Sequence, residues 1–356
     1  MFRKLGEGDI FVTKTARSTS GPRTAVLSDG RLLCTFMVNS RGGANDFTPM
    51  TSRSEDGINW SEARELWPGR KGRCSDFVSV RRGGDGLLYL AGKSWEIAGP
   101  GESFWCDAEG AMKENRLIWS VSPDGQCFPE PTEVPLPYPG AAENPGGMFA
   151  GADGVLRMVY SPYPVISAPG AADTNCMVLL TSHDGGGTFL PRQFARIAGP
   201  CLYAETWIER LSDGRLFVSS WQTAGGYPTV YFLSDDEGET FKGPFPQPFR
   251  GQSTSVTAGP DGTVYVVYNQ RKEEPAGVWL ALEKPGTDGA VLLENQVVWE
   301  AAAATAHGNT DFSGWTDFSF GEPCVTVLGD GTLLVTLWYQ DNGAAGIRYV
   351  RLSQEV

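Results

Sequence analysis

A short turn, Asp-Gly followed by an apolar run, recurs six times along this 356-residue chain. Its aspartates are Asp29, Asp85, Asp153, Asp213, Asp261 and Asp330, so the steps between them are 56, 68, 60, 48 and 69 residues. Asp-Gly between β-rich runs indicates a hairpin, because glycine accepts the positive φ that the turn needs. Six units of four strands predict an all-β fold, a six-bladed β-propeller of four-stranded antiparallel blades.

A second phrase, Ser-x-Asp followed by glycine and an aromatic residue, comes after the third predicted strand of four units. It reads SEDGINW at 54–60, SPDGQCF at 122–128, SHDGGGTF at 182–189 and SDDEGETF at 234–241. The serine and aspartate side chains can bond to nearby backbone N–H groups, and the aromatic ring can be buried between strands. These aspartates are therefore predicted to stabilise turns rather than to take part in chemistry.

The two ends of the chain predict how the ring closes. The last unit has only three strands, PCVTVLG, TLLVTLWY and GIRYVRL, whereas a spare strand, GDIFVTKT, precedes the first unit. We expect this N-terminal strand to pair with the last blade, because the pairing removes an exposed sheet edge. One propeller then accounts for residues 1–356 as a single domain.

Charge and composition exclude several classes of protein. The net charge of −13, from 29 basic and 42 acidic residues, disfavours nucleic acid and anionic membranes as partners, and no apolar run is long enough to span a bilayer. The N-terminus lacks the apolar stretch of a signal peptide, and the seven cysteines form no CxxC pair, so unpaired thiols and a cytoplasmic location are expected. With only His183 and His307, no metal or other cofactor is predicted; the oligomeric state is left open.

The chemistry is expected at the mouth of the central channel, where the first strand of each blade begins. Five of the six first strands carry a charge at a point that otherwise enters an apolar strand, and such groups are costly unless paired or used. The candidates in these segments are Arg23, Arg73, Asp76, Glu143, Tyr203, Glu205, Asp317 and Glu322. Glu205 and Glu322 each precede the Asp-Gly aspartate of their unit by eight residues, which predicts matching positions in two blades. A solvated channel rim is the alternative interpretation.

These features together resemble the sialidase (neuraminidase) superfamily, whose six-bladed propellers carry the serine-aspartate phrase, the Asp box or BNR repeat, away from the active site. The resemblance implies that Arg23 binds a substrate carboxylate, that Asp46 is the acid/base residue and that Glu205 is the glutamate that activates the nucleophile. Arg271 is near the expected place of the third carboxylate-binding arginine. Two departures stand out: Trp221 ends the strand where the second arginine is expected, and the sixth blade opens with aromatic residues that lack the hydroxyl of the family's nucleophilic tyrosine.

The resemblance implies a glycoside hydrolase acting on a carbohydrate, acidic sugars included. Hydrolysis needs two carboxyl groups with separated pKa values, here Asp46 as acid with Glu205 or Glu322 as partner. The aromatic residues that could stack on sugar faces are Trp95, Tyr203, Trp207, Trp221 and Trp315. Two alternatives remain open: a polysaccharide lyase using Tyr203 and Arg73, and a non-catalytic propeller that binds glycans or proteins.

Overall fold

The chain folds as an all-β propeller of six antiparallel blades. The computed structural model describes residues 1–15, 17–197, 202–223, 229–271, 273–301 and 318–354, the side chains of residues 253 and 254 excepted. Trp315, Asp317, His307 and most of the alanine-rich stretch that follows residue 300 lie outside the described residues. The predicted fold class is confirmed.

Blades I to III occupy the first half of the chain. Blade I contains β2 (Ser18–Val26), β3 (Leu32–Asn39), β4 (Thr48–Ser54) and β5 (Arg64–Glu65). Blade II contains β6 (Cys74–Arg82), β7 (Leu88–Glu96), β10 (Arg116–Ser122) and β11 (Thr132–Val134), with a small hairpin of β8 (Trp105–Cys106) and β9 (Ala111–Met112) inserted between β7 and β10. Blade III contains β12 (Ala141–Glu143), β13 (Met148–Ala150), β14 (Leu156–Tyr163), β15 (Met177–Ser182) and β16 (Leu190–Phe194); β12 and β13 both pair with β14.

Blades IV to VI complete the ring. Blade IV contains β17 (Tyr203–Arg210), β18 (Leu216–Gln222), β19 (Thr229–Ser234) and β20 (Lys242–Pro246). Blade V contains β21 (Gln252–Ala258), β22 (Val264–Gln270), β23 (Gly277–Lys284) and β24 (Val291–Glu300). Blade VI contains β25 (Phe320–Val327), β26 (Leu333–Asp341), β27 (Ala344–Gln354) and β1 (Phe2–Thr13). Short 3-10 turns occur at Pro68–Arg70, Pro169–Ala171 and Pro260–Gly262.

The N-terminal strand closes the ring as predicted. β1 runs antiparallel to β27, from the Phe2–Gln354 pair to the Thr13–Ala345 pair. It supplies the fourth strand that the last unit lacks, so the outer edge of β27 is paired. The Gln296 side chain of β24 also bonds the backbone N–H and C=O of Phe2, at 3.2 and 2.9 Å, and so links blade VI to blade V.

Both repeated turns have a local structural basis. The Asp-Gly turns join the first and second strands; in the fourth blade, Asp213 Oδ1 accepts the Arg215 N–H at 3.2 Å, and Gly214 has a φ of 94°. The serine-aspartate turns join the third and fourth strands; Ser234 Oγ accepts the Gly238 N–H at 2.8 Å, and Asp236 Oδ1 accepts the Thr240 N–H at 2.8 Å. Hydrogen bonds from the Thr240 hydroxyl, the Thr240 N–H and the Ser234 hydroxyl lower the pKa of Asp236 to about 2.

The hydrophobic core lies between blades rather than inside one sheet. Six clusters of buried apolar side chains each join two neighbouring blades, and a seventh lies under the loops of blades I to III. Central strands are therefore buried on both faces, and β3 reads LLCTFMVN, with all eight residues buried. The first strands of neighbouring blades contact one another, for example β2 with β6 and β25, so they surround the axis.

No helix among the described residues is long and apolar enough to cross a membrane. The six cysteines in the described part of the chain are unpaired.

Candidate active site

Bulges in the inner strands shape the mouth of the channel. The pairing between first and second strands skips two residues in four blades, after Ser20, Ala204, Gln252 and Gly321. A bulge bends its strand and re-aims the side chains at that point, and bulges are over-represented next to active sites. The four bulges occupy equivalent places in their blades. The bulged part of each inner strand therefore lies at the same level of the central channel.

Glu205 and Glu322 are the bulge residues of blades IV and VI. Their φ angles are 52° and 44°, in the left-handed region that side chains rarely adopt. Gly21 has the same place in blade I, with a φ of 56°. A strained backbone of this kind persists only where the surrounding structure holds it, and it is concentrated at functional sites. The matching positions expected from the sequence spacing are thus matching bulges.

Both glutamates line a central cavity of about 200 Å³ that receives residues from all six blades. Its charged wall consists of Lys93, Glu143, Glu205, Arg271 and Glu322. Glu143 is the last residue of β12 in blade III, Lys93 lies in β7, and Arg271 directly follows β22. We use the name "charged wall" for these five residues below.

Glu205 is held by two neighbours. The Trp221 Nε1–H donates to Glu205 Oε2 at 2.8 Å, and the Glu205 backbone N–H donates to Glu143 Oε2 at 2.8 Å. The other oxygen of Glu143 pairs with Lys93 Nζ at 3.2 Å. Lys93 and Glu143 are each only 8% exposed, so this ion pair is screened little by solvent. The arrangement fixes the bulge and presents the Glu205 carboxylate to the cavity.

Glu322 lies in a different electrostatic environment. Its Oε2 accepts the Gly21 N–H at 2.8 Å, so one bulge residue caps another across the junction of blades VI and I. Burial raises the pKa of Glu322, while the charges of Arg23 and Lys93 oppose that rise. A carboxyl group with a raised pKa can keep its proton near neutral pH, which is the property of a general acid.

Arg271 is a buried cation of the cavity wall. Burial lowers its pKa to about 10, and the charges of Glu205 and Glu322 oppose that shift. Its guanidinium donates to Gln252 Oε1 at 3.1 Å and to the Phe320 carbonyl, and its Cζ lies 3.9 Å from the centre of the Phe318 ring. It therefore sits in the cavity wall, pre-oriented and within the electrostatic reach of both glutamates.

Arg23 and Asp76 lie beneath the site and do not line the cavity. Arg23 is 3% exposed; it donates to the carbonyls of Pro22 and Glu322 at 2.8 and 2.9 Å, and it stacks on the Trp207 ring at 5.4 Å. Asp76 is 1% exposed and forms a two-pronged ion pair with Arg70, at 2.7 and 2.9 Å. In this structure both charges hold blade junctions and loops in place.

The remaining candidates are scattered. Asp46 is in the loop between β3 and β4, where its Oδ1 accepts the Ser40 N–H at 3.1 Å; its neighbours Gly42, Gly43 and Phe47 line the cavity, but Asp46 does not. The Tyr203 hydroxyl donates to the Ala195 carbonyl, and Arg73 donates to the Gly69 carbonyl on the surface. Neither lines the cavity. Trp95 and Trp221 do line it, and Trp207 does not.

Lys93 is the site residue that the inner-strand reasoning missed, because it comes from a second strand. A signal was present: a lysine interrupts the apolar run LLYLAGKSW. Its Nζ lies over the Phe77 and Trp95 rings, at 5.2 and 5.6 Å from their centres. Within the described part of the chain, no group of three or more His, Cys, Asp or Glu side chains is arranged to hold a metal ion.

Comparison with known proteins relates the fold to solved structures. No protein-family profile and no curated protein matches this chain. A protein of unknown function from Dyadobacter fermentans DSM 18053 superposes with a TM-score of 0.77 and 18% identity over 99% of both chains. The Hadza microbial sialidase Hz136 gives 0.63 and 16% identity over 94% of this chain and 65% of that one. The intramolecular trans-sialidase of Ruminococcus gnavus gives 0.62 and 12% identity over 98% of each chain. The chain has the sialidase-like six-bladed propeller fold.

Proposed function

We propose that this sialidase-like propeller is a glycoside hydrolase that cleaves a sugar bound in the central cavity. One observation carries the proposal: two glutamates, Glu205 and Glu322, sit on equivalent strained bulges of one cavity in contrasting environments. Glycoside hydrolysis needs one protonated and one ionised carboxyl group on either side of the scissile bond. Similar folds include proteins whose names describe sialidases and trans-sialidases, which is consistent with carbohydrate as the substrate class.

Glu322 takes the role of general acid. Burial raises its pKa, which is the direction that a general acid needs, because protonation of the leaving oxygen requires a protonated carboxyl group. Glu205 takes the role of the ionised partner; its carboxylate accepts the Trp221 N–H, and a hydrogen bond of this kind favours the charged form. It acts as the nucleophile or as the base that activates water. This assignment moves the acid role from Asp46 to Glu322, because Asp46 does not line the cavity.

Lys93 and Arg271 give the cavity its affinity for an acidic sugar. Each lies in the wall beside a glutamate, and each could turn one N–H towards a substrate carboxylate. The aromatic ring of Trp221, which lines the cavity, provides a face for the C–H side of a sugar. The lyase alternative receives less support, since Tyr203 and Arg73 are hydrogen-bonded to carbonyls away from the cavity.

Glu205→Gln and Glu322→Gln test the proposal. Both substitutions preserve side-chain size and remove the carboxyl chemistry, so each should lower kcat on the best nitrophenyl glycoside by about a hundredfold or more. Asp46→Asn is the matched control outside the cavity and should stay near wild type. The substrates are neutral and uronate nitrophenyl glycosides and uronate oligosaccharides, followed by released phenol and by unsaturated product.

Four outcomes separate the candidate functions. Phenol release that both glutamine variants abolish supports hydrolysis as assigned. Loss in Asp46→Asn alone would return the acid role to Asp46 and overturn the Glu322 assignment. Unsaturated product would indicate a lyase, and glycan binding by calorimetry without any turnover would indicate a binding propeller; either result overturns the hydrolase.

A further inference from the structure

One side of the central cavity is almost entirely aromatic. Phe47, Phe77, Trp95, Phe104, Trp105 and Tyr163 all line it, and we call this set the aromatic wall. Four of the rings contact one another: the Phe47–Phe77 centres are 5.6 Å apart, Phe47–Phe104 5.4 Å and Trp95–Phe104 5.1 Å, and Trp105 and Tyr163 form a second pair with centres 6.4 Å apart. Lys93 of the charged wall lies over the Phe77 and Trp95 rings, and the other four charged residues line the same cavity.

Two rings of the aromatic wall, Phe104 and Trp105, come from an insertion in blade II. Residues 97–115 connect β7 to β10 and contain the hairpin β8–β9. This segment is fastened to blade I, where the Asn45 N–H donates to the Glu102 carbonyl at 2.7 Å, and to blade III, where the Met112 N–H donates to the Pro164 carbonyl at 2.9 Å. The Trp95 Nε1–H donates to the Lys113 carbonyl at 3.1 Å. The wall is therefore preformed and spans three blades.

The shape of the wall distinguishes it from a sugar-stacking platform. A platform offers one flat ring face, whereas these rings meet at steep angles, 87° between Phe47 and Phe77 and 66° between Trp105 and Tyr163. Together they form a concave apolar surface of ring edges and faces. The cation on this side, Lys93, is engaged by Glu143. A hydroxyl-rich sugar would lose hydrogen bonds to water here without replacement, and a compact apolar group would not.

The size of the cavity limits what can enter. A closed apolar cavity of about 150 Å³ holds a benzene ring, and this cavity measures about 200 Å³ and is open to solvent at its mouth. This space is larger than one benzene ring requires, but it is too small for a chain of several sugars. The occupant must be polar where it meets Glu205 and Glu322 and apolar where it meets Phe104 and Trp105.

We infer that the cavity selects glycosides with an apolar leaving group, an aryl or alkyl aglycone that packs on the aromatic wall while the sugar ring faces the charged wall. This inference rests on the proposed function for its orientation. The inferred substrates are small glycosides of apolar alcohols or phenols. Cleavage of internal bonds in long polysaccharides is disfavoured, because the next sugar would place its hydroxyls on the aromatic wall.

Binding of non-hydrolysable thioglycosides tests the inference independently of turnover. Phenyl and methyl thioglycosides of the same sugar are titrated by calorimetry into the wild type and into two variants. Phe104→Ala shortens a half-buried ring of the wall. Phe245→Ala, on the outer strand of blade IV against Tyr231, is the control for loss of an aromatic ring elsewhere. Melting temperatures of all three proteins confirm that they are folded.

The wild type should bind the phenyl compound at least about tenfold more tightly than the methyl compound, the scale of one hydrophobic contact group. Phe104→Ala should remove most of that preference, because it should weaken binding of the phenyl compound far more than binding of the methyl compound, and Phe245→Ala should change neither. Equal affinity for the two compounds, or an equal loss of both in Phe104→Ala, would overturn the inference. Tighter binding of the phenyl compound without any glycoside turnover would support the inference and contradict only the proposed hydrolysis.

Discussion

At the scale of single residues, the site depends on backbone positions that ordinary side chains avoid. Glu205 and Glu322 hold positive φ angles, at a cost of about 1–3 kcal/mol each. Two hydrogen bonds offset this cost. The Glu205 N–H donates to the Glu143 carboxylate, and the Gly21 N–H donates to the Glu322 carboxylate. The strained backbone at these two residues lowers the stability of the fold, and it directs two carboxyl groups into one cavity.

Glu283 is a buried carboxyl group outside the site. It is 0% exposed, and neither of its oxygens forms a well-aligned hydrogen bond with the described residues; the Gln247 side chain is the neighbouring polar group that opposes the effect of burial. Burial raises its pKa from the ordinary 4.5 to about 8. The folded state therefore holds this proton more tightly than the unfolded chain. Its contribution to stability is fully present below pH 4.5 and is lost as the pH rises through 8.

Glu283→Gln should remove this part of the pH dependence, because the amide keeps the shape and does not ionise. At pH 9 the variant should be more stable than the wild type by up to about 5 kcal/mol, and this difference in stability should narrow on going towards pH 5. Chemical denaturation of both proteins across this range measures the difference. Parallel stability curves for the two proteins would show that Glu283 does not titrate as described.

At the scale of secondary-structure elements, the serine-aspartate turns connect the outer two strands of four blades. Ser234 is 2% exposed, and its Oγ accepts the Gly238 N–H and donates to Asp236. Ser234→Ala leaves a buried N–H without its partner, which should cost about 1–3 kcal/mol of unfolding free energy. The turn lies after the third strand, far along the blade from the axial cavity.

Denaturant melts of Ser234→Ala measure this cost, with the exposed turn residue Ser28→Ala as the control that should change little. Turnover or ligand binding per folded molecule should equal that of the wild type. A folded Ser234→Ala protein with impaired activity would contradict the structural role of these turns.

At the scale of the whole molecule, ring closure ties the two ends of the chain together. Phe2 in β1 is 1% exposed and packs in the cluster shared by blades V and VI, with its ring centre 6.3 Å from that of Tyr265. Leu5 on the same strand is 46% exposed. The strand therefore contributes both a paired edge and a buried anchor to the final junction.

Phe2→Ala should lower the free energy of unfolding by about 3–5 kcal/mol, the usual cost of emptying a buried phenylalanine site. Leu5→Ala should change it by well under 1 kcal/mol, as is normal for exposed positions. Deletion of residues 1–15 should destabilise the protein more than either substitution, because it also uncovers the edge of β27. A deletion variant that melts at the wild-type temperature would refute closure by this strand.

The architecture could be predicted from the sequence because its signals are local. Each Asp-Gly turn and each serine-aspartate turn is made by residues a few positions apart, and their repetition sets the number of blades. The missing fourth strand of the last unit and the spare strand at the start follow from the same counting. Glu205 and Glu322 were found because the repeat places equivalent residues at equal distances from a turn.

The tertiary structure decided which charges face the cavity. Arg23 and Asp76 begin inner strands just as Glu205 does, but the packing of adjacent blades buries them against carbonyls and Arg70. Lys93 reaches the site from a second strand and meets Glu143, fifty residues away in the chain. A two-residue bulge rotates the side chains that follow it, and bulges form where six inner strands converge around one axis. That convergence is a property of the closed ring, which no single repeat contains.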